Sequence, residues 1–245
     1  MTALFAIPSK GRLKEDCFAL LERAGLKVAP PPERAYETHI PALPGLRVIL
    51  ISAGEIAERL ARGDFHAGIT GEDVMRERMG SLDGANDPLS RVVIGVNGPE
   101  RVKRLGFGPA RLVVAAPEAW LDCQRMSDLA DIALEIRARQ QRPLRVATKY
   151  VRLTRAFFAR HMIADYRIAF STGATEAAPA SGLADVIVDI TTSGATLRDN
   201  RLSILEDGEI FASEACLFLG PAAAPVWRDG KPEIERLAKA LGAAA

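Results

Sequence analysis

Apolar positions along the chain come in short runs that repeat one plan: a buried strand, a polar loop with a glycine, then an amphipathic segment. Ala3–Ile7 is the first strand, Pro8-Ser9-Lys10-Gly11-Arg12 its loop, and Leu13–Ala24 a helix with Leu13, Phe18, Leu20 and Leu21 available for packing and Gly25 closing it. Leu46–Ile51 and Phe65–Ile69 begin two more such units. The first leads through Ser52-Ala53-Gly54 to a helix over about 55–61, the second through Thr70-Gly71 to a helix carrying Val74 and Met75. Ala29–Pro32 reads as a stiff connection and Met79–Pro88 as an exposed polar loop. Arg91–Val96 and Arg111–Ala116 follow as strands, with Leu105-Gly106-Phe107-Gly108-Pro109 as a bend and Trp120 as a core or interface residue.

The plan then restarts. Leu129–Arg139 is a helix whose Arg137 and Arg139, with Arg142 beyond, read as a solvated face. Leu144–Tyr150 opens a second βα series, with a helix through Phe157 and Phe158 to about Met162. Tyr166–Phe170 is a strand that ends in Ser171-Thr172-Gly173-Ala174-Thr175-Glu176, and a short helix over 177–182 leads to the apolar run Ala184–Ile190. Leu202–Leu205 and Glu214–Leu219 are strands expected to recross to the first half, Pro221–Pro225 a linker, and Pro232–Leu241 a last helix. The organisation expected is α/β with a discontinuous first domain, residues 1–107 and 200–245, and a second, residues 108–199.

Composition narrows the function classes. The 245 residues are 48% hydrophobic and 26% charged with net charge +1, an ordinary globule with no global field for nucleic acid or a membrane surface. No apolar run approaches the ~20 residues of a membrane span, and Lys10 and Arg12 interrupt the N-terminal stretch too early for a signal peptide, so a cytoplasmic protein is expected. Cys17, Cys123 and Cys216 are odd in number and far apart, which argues against a disulfide or zinc framework, and Cys17 and Cys216, in apolar stretches, read as small core residues. His66 reads as a structural strand residue. Gly-x-Ser-x-Gly, Walker A and Gly-x-Gly-x-x-Gly patterns are absent.

Candidate chemistry gathers at the strand ends. After Ala184–Ile190 the chain enters Thr191-Thr192-Ser193-Gly194-Ala195-Thr196, where a glycine permits close backbone approach and four hydroxyls can donate to phosphate oxygens. Asp189, at the mouth of that strand, suits sugar hydroxyls, so strand and loop together suit a ribose phosphate. The same residue types also make a β-turn or a helix cap, and so do Thr70 and Gly71. Lys10, Gly11 and Arg12 lie where a helix begins after a strand, a setting for a polyphosphate. Glu176 falls in a first helical turn, where its charge complements the helix dipole whatever else it does.

Five segments in order resemble the short-form catalytic subunit of the ATP phosphoribosyltransferase family. They are Ile7–Leu13, Gly68–Asp73, Ala147–Tyr150 with Leu153-Thr154, Gly173–Pro179, and Gly182–Leu197. The resemblance implies a two-lobed fold like type II periplasmic binding proteins with the active site in the cleft between the lobes. It implies transfer of the phosphoribosyl group of phosphoribosyl pyrophosphate to N1 of ATP, with release of pyrophosphate and with substrate-bound Mg²⁺. Asp189, Glu176 and Lys10 are the catalytic candidates it suggests. Gly11, Arg12, Thr70, Gly71 and the loop Thr191, Thr192, Ser193, Gly194, Ala195 and Thr196 are the substrate-binding ones, and no metal ligand is assigned. It further implies self-association and a regulatory subunit resembling histidyl-tRNA synthetase. The sequence departs from the family where many members carry an Arg-x-x-Asp-Ile-like stretch and this chain has Ser52-Ala53-Gly54-Glu55-Ile56, and where His66 stands near a family Asp. Two rivals remain at this point: a non-catalytic two-lobed anion-binding or sensor protein, and a phosphoribosyltransferase acting on another base.

Overall fold

Alternating burial along the apolar runs builds two separate α/β cores. The computed structural model describes residues 2–31, 35–79, 100–221 and 227–242. The strand expected at Arg91–Val96 and most of the Met79–Pro88 loop, the Pro32 end of the first connection and most of the Pro221–Pro225 linker lie outside the described residues. The chain divides into one unit of residues 1–108 and 214–245 and another of residues 109–213.

In the first unit the strands are β1 (Ala3–Pro8), β2 (Glu37–His39), β3 (Leu46–Ile51), β4 (Ala67–Gly71), β5 (Glu100–Arg104) and β11 (Ala215–Leu219), in the order β2-β3-β1-β4-β11-β5. β1 runs parallel to β3 and β4, whereas β2, β11 and β5 each pair antiparallel to their neighbours. The period-2 alternation of β1 sends Ala3, Phe5 and Ile7 to one face, against Cys17 and Leu21 of α1 (Gly11–Arg23) and Ile234, Leu237 and Leu241 at the chain's last helix. Ala6 points to the other face, with Ile56, Ala57 and Leu60 of α2 (Ala53–Arg62) and Met75 of α3 (Glu72–Met79). Burial of the strands on both faces is what parallel βα connections require. His66 joins this core: its Nδ1 accepts the Leu4 N–H at 3.0 Å, the structural use expected for it.

The second unit carries β6 (Ala110–Pro117), β7 (Leu144–Thr148), β8 (Tyr166–Phe170), β9 (Val186–Thr191) and β10 (Leu202–Ser213), in the order β10-β6-β9-β7-β8. β7 is parallel to both β8 and β9, and β6 is antiparallel to β9 and β10. Val186 and Val188 pack on one face with Leu129, Ala133 and Ile136 of α4 (Met126–Gln140) and with Phe157 and Phe158 of α5 (Val151–Arg160). Trp120 is partly buried against this cluster. Ile187 packs on the opposite face with Leu197 of α6 (Ala195–Asp199) and with Leu202. Period 2 therefore puts Asp189 and Thr191 on the face that α6 covers.

Several expected elements change shape. The segment expected as a helix at 177–182 is a 3₁₀ turn over Thr175–Ala177 followed by turns. The last helix, α7 (Trp227–Ala240), starts before Pro232 and contains it. The second domain crossing falls between Ser213 and Glu214, and not near 200, because β10 hydrogen bonds along β6 from Leu202 to Ser213 and so stays with the second sheet.

One structural device fixes the start of β9. Asp185 is 8% exposed and takes Arg142 Nη1 at 2.6 Å, Arg145 Nη2 at 2.9 Å and the Arg145 backbone N–H at 2.8 Å. Burial alone would raise its carboxyl, but the hydrogen bonds from Arg145 and Arg142 outweigh it and hold the group down at about 2. Arg142 is thus half-buried ion-pair structure, unlike Arg137 and Arg139, which pair with Asp165 and Glu135 at the surface.

Candidate active site

In the second unit the parallel arrangement puts the carboxyl ends of β7, β8 and β9 at one edge of the sheet, and a polar loop leaves each. Ligands of α/β units meet this edge. The β9 loop is organised before any ligand arrives. Thr191 Oγ1 accepts the Gly194 N–H at 2.9 Å, and Ser193 Oγ accepts the Ala195 N–H at 3.3 Å. Gly194 has φ +74°, the left-handed region, and caps α6. The Arg198 guanidinium folds back and donates to the Ser193 carbonyl at 3.1 Å. That bond ties down an oxygen that would otherwise repel an anion. Thr192, Ser193, Ala195 and Thr196 are exposed, so the hydroxyls of Thr192, Ser193 and Thr196 lie at the loop surface.

Asp189 sits two residues before the end of β9, with its side chain 17% exposed. Its Oδ1 is 4.0 Å from Lys149 Nζ, in the loop after β7. The β7–β9 register pairs Ala147 with Ile187, and two further residues bring Lys149 level with Asp189. Reading along the chain did not select Lys149 as a candidate. The signal available was a cation directly after a strand, the same pattern that marked Lys10.

The β8 loop holds itself through hydroxyls. Thr175 Oγ1 donates to Ser171 Oγ at 3.1 Å, and Ser171 Oγ donates to the Gly173 carbonyl at 3.3 Å. Ala174 lies at φ +47°, an uncommon conformation for a residue with a Cβ. Glu176 follows in the first turn of the 3₁₀ element and is partly exposed. The Ser171 N–H also donates to the Thr148 carbonyl at 3.1 Å, which joins this loop to the end of β7.

In the first unit β1, β3 and β4 likewise end at one edge, where α1, α2 and α3 begin. α1 starts at Gly11 after Lys10, which makes no side-chain cap bond, and no acidic residue stands in its first turn. A helix start with uncapped N–H groups and cations beside it favours anions. Gly11 has φ +73° with open space around the position of a Cβ, and Arg12 is 89% exposed, 3.9 Å from Asp16. α2 differs, since Ser52 Oγ caps it by accepting the Glu55 N–H.

Thr70 and Gly71 occupy the end of β4. Thr70 is fully buried and its hydroxyl donates to the Ala53 carbonyl at 3.0 Å, a tie between β4 and the start of α2. A groove lined by Tyr36, Glu37, Ile49, Ile51, Glu55 and Arg59 borders β3 and holds none of the expected site residues. Cys17 and Cys123 are buried, and burial pushes their thiols up to about 12 and about 11, with Asp16 and Asp128 adding to the shift. Neither is a nucleophile. Among the described residues no group of three or more His, Cys, Asp or Glu side chains gathers around a common point, and no helix is long and apolar enough to cross a membrane.

Two α/β units with polar loops at the carboxyl edges of their parallel strands place the chain in the two-unit class of type II periplasmic binding proteins. An ancestral amino-acid-binding protein, AncCDT-1, has this fold, with a TM-score of 0.51 at 14% identity over 98% of this chain and 88% of its own. Residues 52–243 match the model of one family, ATP phosphoribosyltransferase (HisG), and the chain belongs to that family. ATP phosphoribosyltransferases of Afipia carboxidovorans and Chelativorans sp. are each 47% identical to it. The first match covers 97% of this chain and 68% of the relative, the second 98% and 99%. The ATP phosphoribosyl transferase (HisG:HisZ) complex from Thermotoga maritima contains a chain of the same fold, TM-score 0.69 at 23% identity, matched over 98% of this chain and 97% of that one.

Proposed function

We propose that the protein joins phosphoribosyl pyrophosphate to ATP, forming N1-phosphoribosyl-ATP and pyrophosphate, the first step of histidine biosynthesis. The observation that carries this reading is the family match over residues 52–243, which takes in the Asp189–Thr196 strand and loop whole. In the reaction, N1 of adenine attacks C1 of the ribose, the N1–C1 bond forms, and the bond from C1 to pyrophosphate breaks. No covalent intermediate on the protein is needed. The work left to the chain is alignment of two polyanions and stabilisation of the charge that develops on the leaving group.

On this reading the hydroxyls and amides of Thr192, Ser193 and Thr196 hold the 5′-phosphate, while Gly194 and Ala195, whose N–H groups are held by Thr191 Oγ1 and Ser193 Oγ, shape the loop. Thr191 serves them by fixing Gly194. Asp189 accepts hydrogen bonds from the ribose hydroxyls, and Glu176, at the next strand end, orients the sugar or its leaving group. In the first unit Lys10, Gly11 and Arg12 bind a polyphosphate at the uncapped start of α1. Thr70 and Gly71 belong to the support of that unit's strand ends, given the bond from Thr70 to Ala53. The carboxylates of Asp189 and Glu176 are hard oxygen donors of the kind Mg²⁺ accepts, and Mg²⁺ carried on substrate phosphates would neutralise part of their charge.

The end-to-end match with the Chelativorans relative supports the short-form reading. With it come a cytoplasmic location, self-association and a regulatory partner resembling histidyl-tRNA synthetase, as the Thermotoga maritima complex pairs HisG with HisZ. The test is pyrophosphate release from ATP, phosphoribosyl pyrophosphate and Mg²⁺, with and without that partner. Release that requires both substrates supports the proposal. No release in the partner's presence, or equal release with another base in place of ATP, refutes it.

A further inference from the structure

The donor site as read from the β9 loop has an electrostatic deficit. Its hydroxyls and amides carry no net charge, Asp189 and Glu176 are both acidic, and the Arg198 guanidinium is bonded to the Ser193 carbonyl, so a sugar pyrophosphate would meet only carboxylates among the charged groups assigned to it. The three loops that leave β7, β8 and β9, residues 149–150, 171–174 and 192–194, contain one lysine or arginine, Lys149. Its Nζ lies 4.0 Å from Asp189 Oδ1 and 5.1 Å from the centroid of the Tyr150 ring. Tyr150 is 3% exposed, so the ring is a fixed surface that steers the ammonium. The lysine side chain is itself 45% exposed and retains access to solvent and to a ligand.

We propose that Lys149 is a donor-binding residue: its ammonium neutralises Asp189 in the free protein and contacts a phosphate oxygen of the bound sugar pyrophosphate. This rests on the reading of the three loops as the phosphoribosyl donor site. An ammonium has three donors on a flexible stem, so it can face Asp189 and still reach an anion. Its position after β7 puts it beside the sugar end of the loop, where the pyrophosphate leaves.

The experiment measures equilibrium binding of phosphoribosyl pyrophosphate with Mg²⁺, and separately of ATP, to the full chain with its regulatory partner. The variants are Lys149→Met, Lys149→Arg, Asp189→Asn and the Lys149→Met/Asp189→Asn double. Donor affinity of Lys149→Met is expected to fall about tenfold to a hundredfold, the range for loss of one close charge contact. ATP affinity should stay within about twofold, Lys149→Arg should recover most of the loss, and the salt dependence of donor binding should flatten in Lys149→Met. The loss should persist in the Asp189→Asn background. Donor affinity of Lys149→Met equal to that of the unmodified protein would overturn the assignment, and so would a loss that vanishes in that background, because the lysine would then act only through Asp189. If the unmodified protein binds no donor at all, the functional reading itself fails and this inference falls with it.

Discussion

Gly194→Ala is the substitution whose cost can be worked most directly from the loop. The residue sits at φ +74°, and a Cβ there would stand 3.0 Å from Arg198 Nη1 and 3.6 Å from Ile204 Cδ1. The backbone conformation costs an L-residue about 1–2 kcal/mol. Arg198 can swing clear, since its contact is the end of a flexible and exposed side chain, but it then releases the Ser193 carbonyl, a further cost of about 0.5 kcal/mol. The sum is about 2 kcal/mol, which lowers the melting temperature by about 4–8 °C for a chain of this size. The freed carbonyl also turns an acceptor toward the anion site, so KM for phosphoribosyl pyrophosphate should rise more than KM for ATP. Thermal melts and donor titrations of Gly194→Ala beside Gly194→Asn make the comparison. Asparagine tolerates the left-handed region better and should lose less stability. A Gly194→Ala protein that melts within about one degree of the parent and keeps its donor KM would refute the argument.

Other expectations concern neighbouring groups. Asp189→Ala and Thr196→Ala should each weaken donor binding by about tenfold, a loss of about 1.4 kcal/mol, while circular dichroism and melting stay close to those of the parent. Unchanged binding and turnover in both would remove the loop from the site. Thr70→Val should destabilise the protein by about 1 kcal/mol through loss of the bond to Ala53, with donor affinity intact; a donor defect at unchanged stability would return Thr70 to the binding residues. For Asp185 the folded carboxyl is held at about 2, below its ordinary 3.8. It therefore contributes about 2 kcal/mol above pH 4, and this is lost as pH falls toward 2. Denaturant titrations at pH 7 and pH 3 should show about half of that, about 1 kcal/mol, lost in the parent and a smaller drop in Asp185→Asn, and equal drops would contradict the linkage.

Much of the architecture was legible because burial imposes local patterns. Runs such as Leu46–Ile51 and Val186–Thr191 are strand-like at sight, and the glycine and hydroxyl residues after them mark where the backbone turns. What the chain hides is pairing between distant segments. Glu37–His39 and Glu100–Arg104 are strands rich in charge, at the edges of their sheet, where one ladder of hydrogen bonds suffices and no apolar alternation is needed. Leu202–Ser213 reads equally well with either sheet until its register with β6 is seen. Thr70 and Thr191 look alike along the chain, each in a hydroxyl-glycine turn. The first hydroxyl turns inward to Ala53, whereas the second braces an exposed loop. Lys149 needed the adjacency of β7 and β9, a fact about the sheet and not about the residues around it.

The most direct measurement is a crystal structure of the protein with phosphoribosyl pyrophosphate and Mg²⁺ bound. The account predicts the 5′-phosphate within hydrogen-bond distance of the hydroxyls and amides of Thr192, Ser193 and Thr196, with the ribose hydroxyls on Asp189. A fully occupied donor whose phosphate and sugar touch none of these residues would contradict it.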